Sequence, residues 1–408
     1  MLMLHTSDWH LGRTFHGVDI LDVQARAMTE IVAWVREYDV SVVLVSGDVY
    51  DRAQPRTEVV ELLNRTLGEI REAGAQVVLT SGNHDSPARL GFGSQIMSHG
   101  GVHLLTTLED AWRPVLFTQR DGRLTVSRGA VPAGEPSAGS PVAAAEDATV
   151  AVYGIPYLEP RAAAPLLDCA PTHQGVLGAV TARIDDDARN RPGVPTVAMA
   201  HAFVTGAEPT DSERVVDSGG LGTASAEIFA EHDYTALGHL HRRQRVTETV
   251  RYSGSPVAYS FSEAEHSKGA WLVDVRSDGV HGVTPLDHAS GMRLARLRGQ
   301  LDALLTEPEH TRAQDAWCQV VLTDAERPAA AMERVRTRFP HTVELRWEPE
   351  GGRAATPLGY SARVAGVASP GELCARFYDH VRGRSLSPSE GAELDDAVAA
   401  VCEKGAGR

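Results

Sequence analysis

The sequence predicts an α/β fold, and three observations carry that prediction. Short apolar runs rich in Val, Leu and Ile recur through residues 1–280, each of strand length. Segments with helix-like apolar spacing lie between the first of these runs. Five of the runs end in Asp, Asn or His, and strand ends are where open α/β sheets build their sites.

Taken in order, residues 1–6 form the first strand and lead into Asp8-Trp9-His10. Residues 18–38 place Ile20, Val23, Ala27, Ile31 and Trp34 on one helical face. The run 41–45 is a second strand, ending in Gly47-Asp48. Residues 56–73 form a second helix, whose buried face is Val59, Val60, Leu62, Leu63, Leu67 and Ile70. The third strand, 76–80, delivers Ser81-Gly82-Asn83-His84-Asp85 into a loop. Strand, helix, strand, helix, strand means a layered domain. Residues 87–99 predict one further helix and 102–105 another strand, while 118–149, and 129–141 above all, turn to Gly, Pro, Ser and Ala as a loop or hairpin excursion.

A strand over 149–155, a helix over 177–189 and a strand over 194–200 lead to His201. Another strand, 234–237, leads to Gly238-His239-Leu240-His241. Residues 234–241, 251–256 and 269–275 are expected to close a second sheet. Beyond Pro285 the character changes: 292–305, 316–323, 329–339 and 342–347 predict a helix-or-strand, strand, helix, strand series. The expected domains are therefore 1–284, a small α+β domain over 285–350, a linker over 351–370, and C-terminal helices over 371–408. Those helices are amphipathic over 372–381 and 388–401. The second opens with Ser387 at the N-cap, Pro388 at the first helical position and Glu390 as the partner in a capping box.

Composition bounds the function. With 408 residues, 42% of them hydrophobic and 23% charged, the chain is long enough for two or three domains with a sizeable core. No apolar run approaches the roughly 20 residues of a membrane helix, and no signal segment opens the chain, so a cytoplasmic location and no membrane partner are expected. Cys169, Cys318, Cys374 and Cys402 are scattered without a C-x-x-C pair, which argues against a zinc knuckle or a disulfide framework and for buried or partly buried thiols. A net charge of -15 argues at first against nucleic acid. A carboxylate-rich site loses negative charge on taking up two divalent cations, however. Arg52, Arg56, Arg89, Arg242, Arg243 and Arg245, all near the candidate ligands, could then line a phosphate track. Their plainer alternative is a solvated surface, in a chain whose only lysines are Lys268 and Lys404.

The chemistry lies in the collected strand ends. Aspartate binds hard cations, and imidazole adds affinity for Mn²⁺, Fe²⁺ or Zn²⁺. Two metals about 3.5–4 Å apart are best held by a bridging carboxylate, and Asp48, central in the series, is the choice for it. The spacing of His239 and His241 puts both imidazoles on one side of an extended segment.

Together these residues resemble the motifs of the calcineurin-like metallophosphoesterases. The stretches Leu4-His5-Thr6-Ser7-Asp8-Trp9-His10-Leu11-Gly12 and Gly47-Asp48-Val49-Tyr50-Asp51-Arg52 resemble more closely the family's bacterial DNA-nuclease branch, over roughly residues 1–280. Arg376-Phe377-Tyr378-Asp379-His380-Val381-Arg382-Gly383 is similar to that branch's C-terminal segment. The resemblance implies a four-layer sandwich, two central mixed sheets flanked by helices, with a small α+β capping domain that helps position DNA. It implies that Asp8, His10, Asp48 and His241 hold one metal and Asp48, Asn83, His201 and His239 the other. Mn²⁺ is the favoured ion, with Mg²⁺, Fe²⁺ or Zn²⁺ compatible. His84 would face the scissile phosphate, with Asp85 orienting its ring, while water attacks phosphorus in line and the cations take up the developing charge. One departure is Asp51, which stands where archaeal and eukaryotic relatives carry a second active-site histidine.

That branch cuts DNA in an ATP-dependent manner, as a double-strand exonuclease and a hairpin or single-strand endonuclease in end processing, repair and recombination. Neither lysine here sits in a Gly-Lys-Ser/Thr loop, so the chain lacks a Walker A motif. The implied partners are DNA and an ABC ATPase with a coiled coil, met as a homodimer within a heterotetramer at the nucleoid. The terminal helices are the candidate docking element, with packing on their own domain as the alternative. Residues 55–73 and 87–99 are candidates for the dimer surface, although their apolar faces could equally be core. Two other classes remain open: a phosphoesterase acting on small substrates, and a non-catalytic scaffold that binds DNA or a partner.

Overall fold

Runs such as Val42–Ser46, buried at every residue, belong to strands covered on both faces, which is why they read as continuous apolar stretches. The computed structural model describes residues 1–128, 148–213, 222–289, 291–350, 369–382 and 384–405. The first sheet contains β1 (Leu2–Thr6), β2 (Val42–Ser46), β3 (Gln76–Thr80) and β4 (Val102–Leu105), all parallel. The second contains β5 (Val115–Arg120), β6 (Arg123–Arg128), β7 (Ala148–Ile155), β8 (Thr196–His201), β9 (Tyr234–Gly238), β10 (Gln244–Arg245) and β11 (Val250–Tyr252). Its order is β10-β11-β9-β8-β7-β5-β6, with β7, β8, β9 and β11 parallel. β12 (Gly269–Arg276) and β13 (Gly279–Asp287) complete the first sheet, in the order β13-β12-β1-β2-β3-β4.

Alternation along the strands sorts side chains into layers. Met3, Val42, Leu44, Val78, Phe117, Val152, Val197 and Met199, drawn from both sheets, form one cluster between them. Leu4, Val43, Val45 and Val77 turn the other way, onto helices Leu21–Glu37 and Thr57–Glu72. Tyr153, Ala198 and Ala200 do the same against Pro160–Leu167 and His173–Arg189. The result is the helix, sheet, sheet, helix sandwich that the resemblance implied.

The two sheets meet tightly at the ends of β2 and β9. Ser46 Oγ donates to Ala236 O at 2.9 Å. A Cβ on Gly238 would lie 1.9 Å from Ser46 O, and one on Gly47 would lie 2.4 Å from His201 Nδ1. Beside them, His5 of β1 reaches across to Leu237 O at 3.1 Å and Tyr234 Oη at 2.9 Å. A carbonyl can only accept, so Nε2 carries the proton and Nδ1 accepts from the tyrosine. Burial agrees with that neutral state, pushing His5 down to about 3.

Several expectations are corrected. Residues 269–275 join the first sheet rather than the second, pairing antiparallel with β1 from Leu2↔Asp274 to His5↔Trp271. Strand pattern alone does not say which open edge a strand will fill. The helix expected over 87–99 is two short ones, Pro87–Leu90 and Ser94–His99, interrupted where Gly93 takes φ 73°. The helix expected from 177 begins at His173, capped by Thr172 Oγ1 accepting from Gly175 N at 3.0 Å. Cys374, expected to be at least partly buried, is exposed.

The chain divides into two compact units, one of Met1–Leu297, Leu304–Val320 and Met332–Leu345, the other of Arg298–Ala303, Val321–Ala331 and Arg346–Arg408. A three-stranded sheet is formed by Leu294–Gly299, Trp317–Leu322 and Thr342–Trp347, with the middle one central. In the second unit, helices Pro370–Arg382 and Pro388–Gly405 pack on each other. The capping box is present: Glu390 Oε2 accepts from Ser387 N at 2.8 Å and Ser387 Oγ from Glu390 N at 3.3 Å. Most of the expected linker, and the excursion over 129–141, lie outside the described residues. No described helix is long and apolar enough to cross a membrane.

Gly238→Ala is expected to destabilise the protein by about 3 kcal/mol through its clash with Ser46 O, read as a lower urea midpoint. Gly68→Ala, in helix Thr57–Glu72 with open space around it, is expected to stabilise the protein by up to about 1 kcal/mol, read as a higher midpoint.

Candidate metal centre

All nine expected site residues lie at or just beyond the C-terminal ends of β1, β2, β3, β8 and β9, in the first unit. The backbone there is unusual. Asp8, His10, Asp48 and His239 have φ of 52°, 40°, 47° and 104°, values that L-residues adopt mainly where the surroundings force them. The forcing contacts are visible: the loop after β1 pairs with the loop after β2 through Asp8 N to Gly47 O (3.1 Å), His10 N to Asp48 O (2.9 Å) and Leu11 N to Val49 O (2.9 Å). Gly82 is required at the next loop, since a Cβ there would sit 2.2 Å from Asp48 Oδ1.

The side chains converge in two sets that share Asp48. In the first, His10 Nε2 lies 3.0 Å from His241 Nε2, 3.4 Å from Asp48 Oδ2 and 4.0 Å from Asp8 Oδ1. In the second, His201 Nε2 lies 2.9 Å from Asn83 Oδ1 and 3.4 Å from Asp48 Oδ2, and His239 Nδ1 lies 3.3 Å from Asn83 Oδ1. Donor atoms of Asp8, His10 and His241, and of Asp8, Asp48 and His201, fall within 4.8 Å of one another.

Hydrogen bonds on the far side of two rings show which nitrogen faces the centre. His201 Nδ1 donates to Ser46 O at 2.9 Å, so Nε2 is the atom turned toward Asn83 and Asp48. Two acceptor oxygens around one imidazole nitrogen mark a place for a positive species. His241 Nδ1 lies 2.5 Å from Ser212 Oγ, which turns its Nε2 toward His10. Buried, mixed nitrogen and oxygen donors of this kind fit divalent cations.

The charges agree. Burial pushes the Asp48 carboxyl up, but the imidazoles of His201 and His10 outweigh it and hold it well below the ordinary range. Burial, with the Asp48 charge adding to it, raises Asp8 to about 6. His201 is lowered by burial, yet Asp48 brings it up to about 9. Burial takes His10 well down and His239 to about 3. The centre thus keeps one firmly ionised carboxylate at its middle, with the His10 and His239 imidazoles held neutral, the form in which they ligate, and a charged His201 whose proton a bound cation would displace.

His84 sits at the edge of the first set, its ring centroid 4.6 Å from that of His10 and its Nε2 3.9 Å from Asp48 Oδ2. The expectation that Asp85 orients this ring is corrected. His84 Nδ1 donates to the Asp51 carbonyl at 2.8 Å. The Asp85 carboxylate instead accepts from Gly82 N (2.9 Å), Tyr50 N (2.9 Å) and Val49 N (3.1 Å), clasping the two loops together, and burial raises it to about 7. Asp51 stands between His10 Nδ1, at 3.7 Å, and His84 Nδ1, at 3.8 Å. Sequence reading passed over Ser212, Glu263 and Lys268 behind His241. The one available signal was that Lys268 is one of only two lysines.

A family model described as calcineurin-like phosphoesterase matches residues 1–131, and the fold and paired donor sets agree with it. Over that segment the chain is similar to the calcineurin-like phosphoesterases. A second family model, described as type 5 capsule protein repressor C-terminal domain, matches residues 291–382. The D subunit of the nuclease SbcCD from Bacillus subtilis (strain 168) is 29% identical over 361 residues, covering 85% of this chain and 85% of that protein. This chain is therefore a homologue of the SbcCD D subunits. Among solved structures, TT1561 of Thermus thermophilus is 13% identical with a TM-score of 0.36, covering 70% of this chain and 98% of its own. A dimetal phosphatase from Danio rerio is 12% identical with a TM-score of 0.39, covering 71% and 99%.

Asp48→Ala removes the carboxylate oxygen that lies 3.4 Å from both His10 Nε2 and His201 Nε2. Calorimetric titration with Mn²⁺ is expected to fall from two ions bound per wild-type chain to none held tightly.

Proposed function

We propose that this chain is the DNA nuclease subunit of an SbcCD-type complex, hydrolysing phosphodiesters as a double-strand exonuclease and a hairpin or single-strand endonuclease. The observation that carries the reading is the buried Asp48 carboxylate shared by two donor sets, with the His84 ring beside it. Asp8, His10, Asp48 and His241 would hold one cation and Asp48, Asn83, His201 and His239 the other. Mn²⁺ is the ion proposed, as the resemblance implies, and Mg²⁺, Fe²⁺ or Zn²⁺ are compatible with so mixed a donor set. Two cations held there would supply Lewis acidity, to polarise the phosphoryl group and take up negative charge.

The protein's own groups do the rest. Asp48 is fixed by His84 N donating to its Oδ1 at 2.8 Å. Asp8 is fixed by His239 N, at 3.1 Å from each of its oxygens, and by Ser7 Oγ at 2.5 Å. With Nδ1–H committed to Asp51 O, His84 can hold a proton at Nε2 and pass it to the leaving oxygen. Asp85 supports this by locking the loop that carries His84.

The partners follow from the same reading: DNA, and an SbcC-type ABC ATPase engaged through its coiled coil by helices Pro370–Arg382 and Pro388–Gly405. The segment 285–350 is proposed as the DNA-capping domain. A homodimer would use the face carrying Val60, Phe92 and Ile96, whose side chains are 44%, 84% and 80% exposed despite being apolar.

Linear double-stranded DNA incubated with Mn²⁺ is expected to be degraded, faster with the ATPase and ATP, and not at all by Asp48→Ala. Hydrolysis of a chromogenic phosphodiester without action on DNA would point to a small-substrate phosphoesterase. His84→Ala is expected to lower turnover by roughly 10²–10⁴-fold while still binding two Mn²⁺, whereas a scaffold would keep its whole activity. For the dimer, Phe92→Asp with Ile96→Asp should shift the mass seen by light scattering from two chains to one.

A further inference from the structure

The imidazoles of the centre are not held alike. His201 and His84 each donate Nδ1–H to a backbone carbonyl, and His10 Nδ1 is buried without a hydrogen-bond partner. His241 differs. Its Nδ1 lies 2.5 Å from Ser212 Oγ, and that hydroxyl donates to Glu263 Oε1 at 2.6 Å. Glu263 is 1% exposed. Burial would raise it, but the Lys268 ammonium beside it holds the carboxyl well below the usual range, so it stays an acceptor. The ammonium is fully used as well: it donates to Glu263 Oε2, to Ser255 Oγ at 3.0 Å and to His241 O at 2.7 Å.

The direction of the chain follows from the donor inventory. Glu263 can only accept, so the single Ser212 proton goes to it. Ser212 Oγ then accepts, and the hydrogen between it and His241 belongs to the imidazole. His241 is thereby the Nδ1–H tautomer, with the Nε2 lone pair turned toward His10 and Asp8. Ser212 is itself held from outside, since Arg13 Nη2 donates to its carbonyl at 2.6 Å.

We infer that Ser212 is a positioning residue for the first cation site, carrying the buried Glu263 charge to His241 Nδ1–H so that Nε2 is presented as a bare ligand. This rests on the ligand assignment proposed above. Lys268 makes the device tolerable in the interior, because an unpaired carboxylate at that depth would be expelled or protonated. The two cation sites therefore differ in kind. One histidine is oriented through a hydroxyl by a carboxylate, while its counterpart His201 rests on a neutral carbonyl.

The test is Mn²⁺ binding to the full chain, by calorimetry and by electron paramagnetic resonance, for wild type, Ser212→Ala and Ser212→Thr. Ser212→Ala is expected to weaken one of two sites by roughly 10–100-fold, leave the other unchanged, and melt like wild type without metal. Ser212→Thr, which keeps the hydroxyl, is expected to bind both ions within about threefold of wild type, a rescue in line with the loss that removing such a partner causes. Two wild-type affinities in Ser212→Ala would overturn the inference and leave the ligand assignment standing. Equal weakening of both sites together with a lower metal-free melting temperature would overturn it in favour of a loop-anchoring role. Wild-type protein that takes up no Mn²⁺ would overturn the assignment itself and the inference with it.

Discussion

Everything at the centre depends on how closely two sheets approach at one end. Ser46 O is the fixed point: His201 Nδ1 donates to it, and no Cβ fits at Gly238 facing it. Were the strands held apart by an ordinary side chain, Asp48 from one sheet and His201 and His239 from the other could not meet. The hydrogen bonds from His5 across to Leu237 and Tyr234 strengthen the same seam from the neighbouring strand. A centre with donor side chains on both sheets thus has its geometry set by packing as well as by the loops that carry them, which favours preorganised groups over adaptable ones.

Such an arrangement carries stresses that a simple core would not tolerate. Three carboxylates, Asp8, Asp48 and Asp85, are nearly inaccessible within one small region. The protein manages this by giving each a different company: imidazoles for Asp48, a hydroxyl and an amide for Asp8, three amides for Asp85. Positive φ at Asp8, His10, Asp48 and His239 is the backbone's share of the same compromise. The surface arginines tell the opposite story. Arg52, Arg56, Arg242, Arg243 and Arg245, which looked like a phosphate track, each have a carboxylate partner in Asp51, Asp19, Glu208, Asp287 and Glu248. Whatever attraction they hold for a polyanion is reduced accordingly.

How much of this was legible in the sequence depended on locality. Strands buried on both faces announce themselves as apolar runs, and a strand end in Asp or His is a local pattern, so β1, β2, β3, β8 and β9 and the polar side chains at their ends could be read directly. The partner of β1 could not, because 269–275 matches an open edge of either sheet. The break at Gly93 was missed because the apolar spacing continues through it. Asp85 was given the wrong neighbour, since nothing near it in sequence says that its oxygens will meet the amides of Val49 and Tyr50. Ser212 and Glu263 were invisible for the same reason: they become relevant only when residues 29 and 51 positions apart meet in space.

The late arrival of β12 has a consequence for synthesis on the ribosome. One edge of β1 is covered by β2, but the other waits for Gly269–Arg276, the segment that pairs with Leu2↔Asp274 onward. At 5–20 residues per second, that leaves a strand opening on three apolar residues with an open edge on the nascent chain for on the order of tens of seconds. An unpaired edge of that kind is a template for pairing with other chains. Nascent-chain chaperones therefore have most to protect in this protein at its amino-terminal strand, and the hazard ends when β12 emerges.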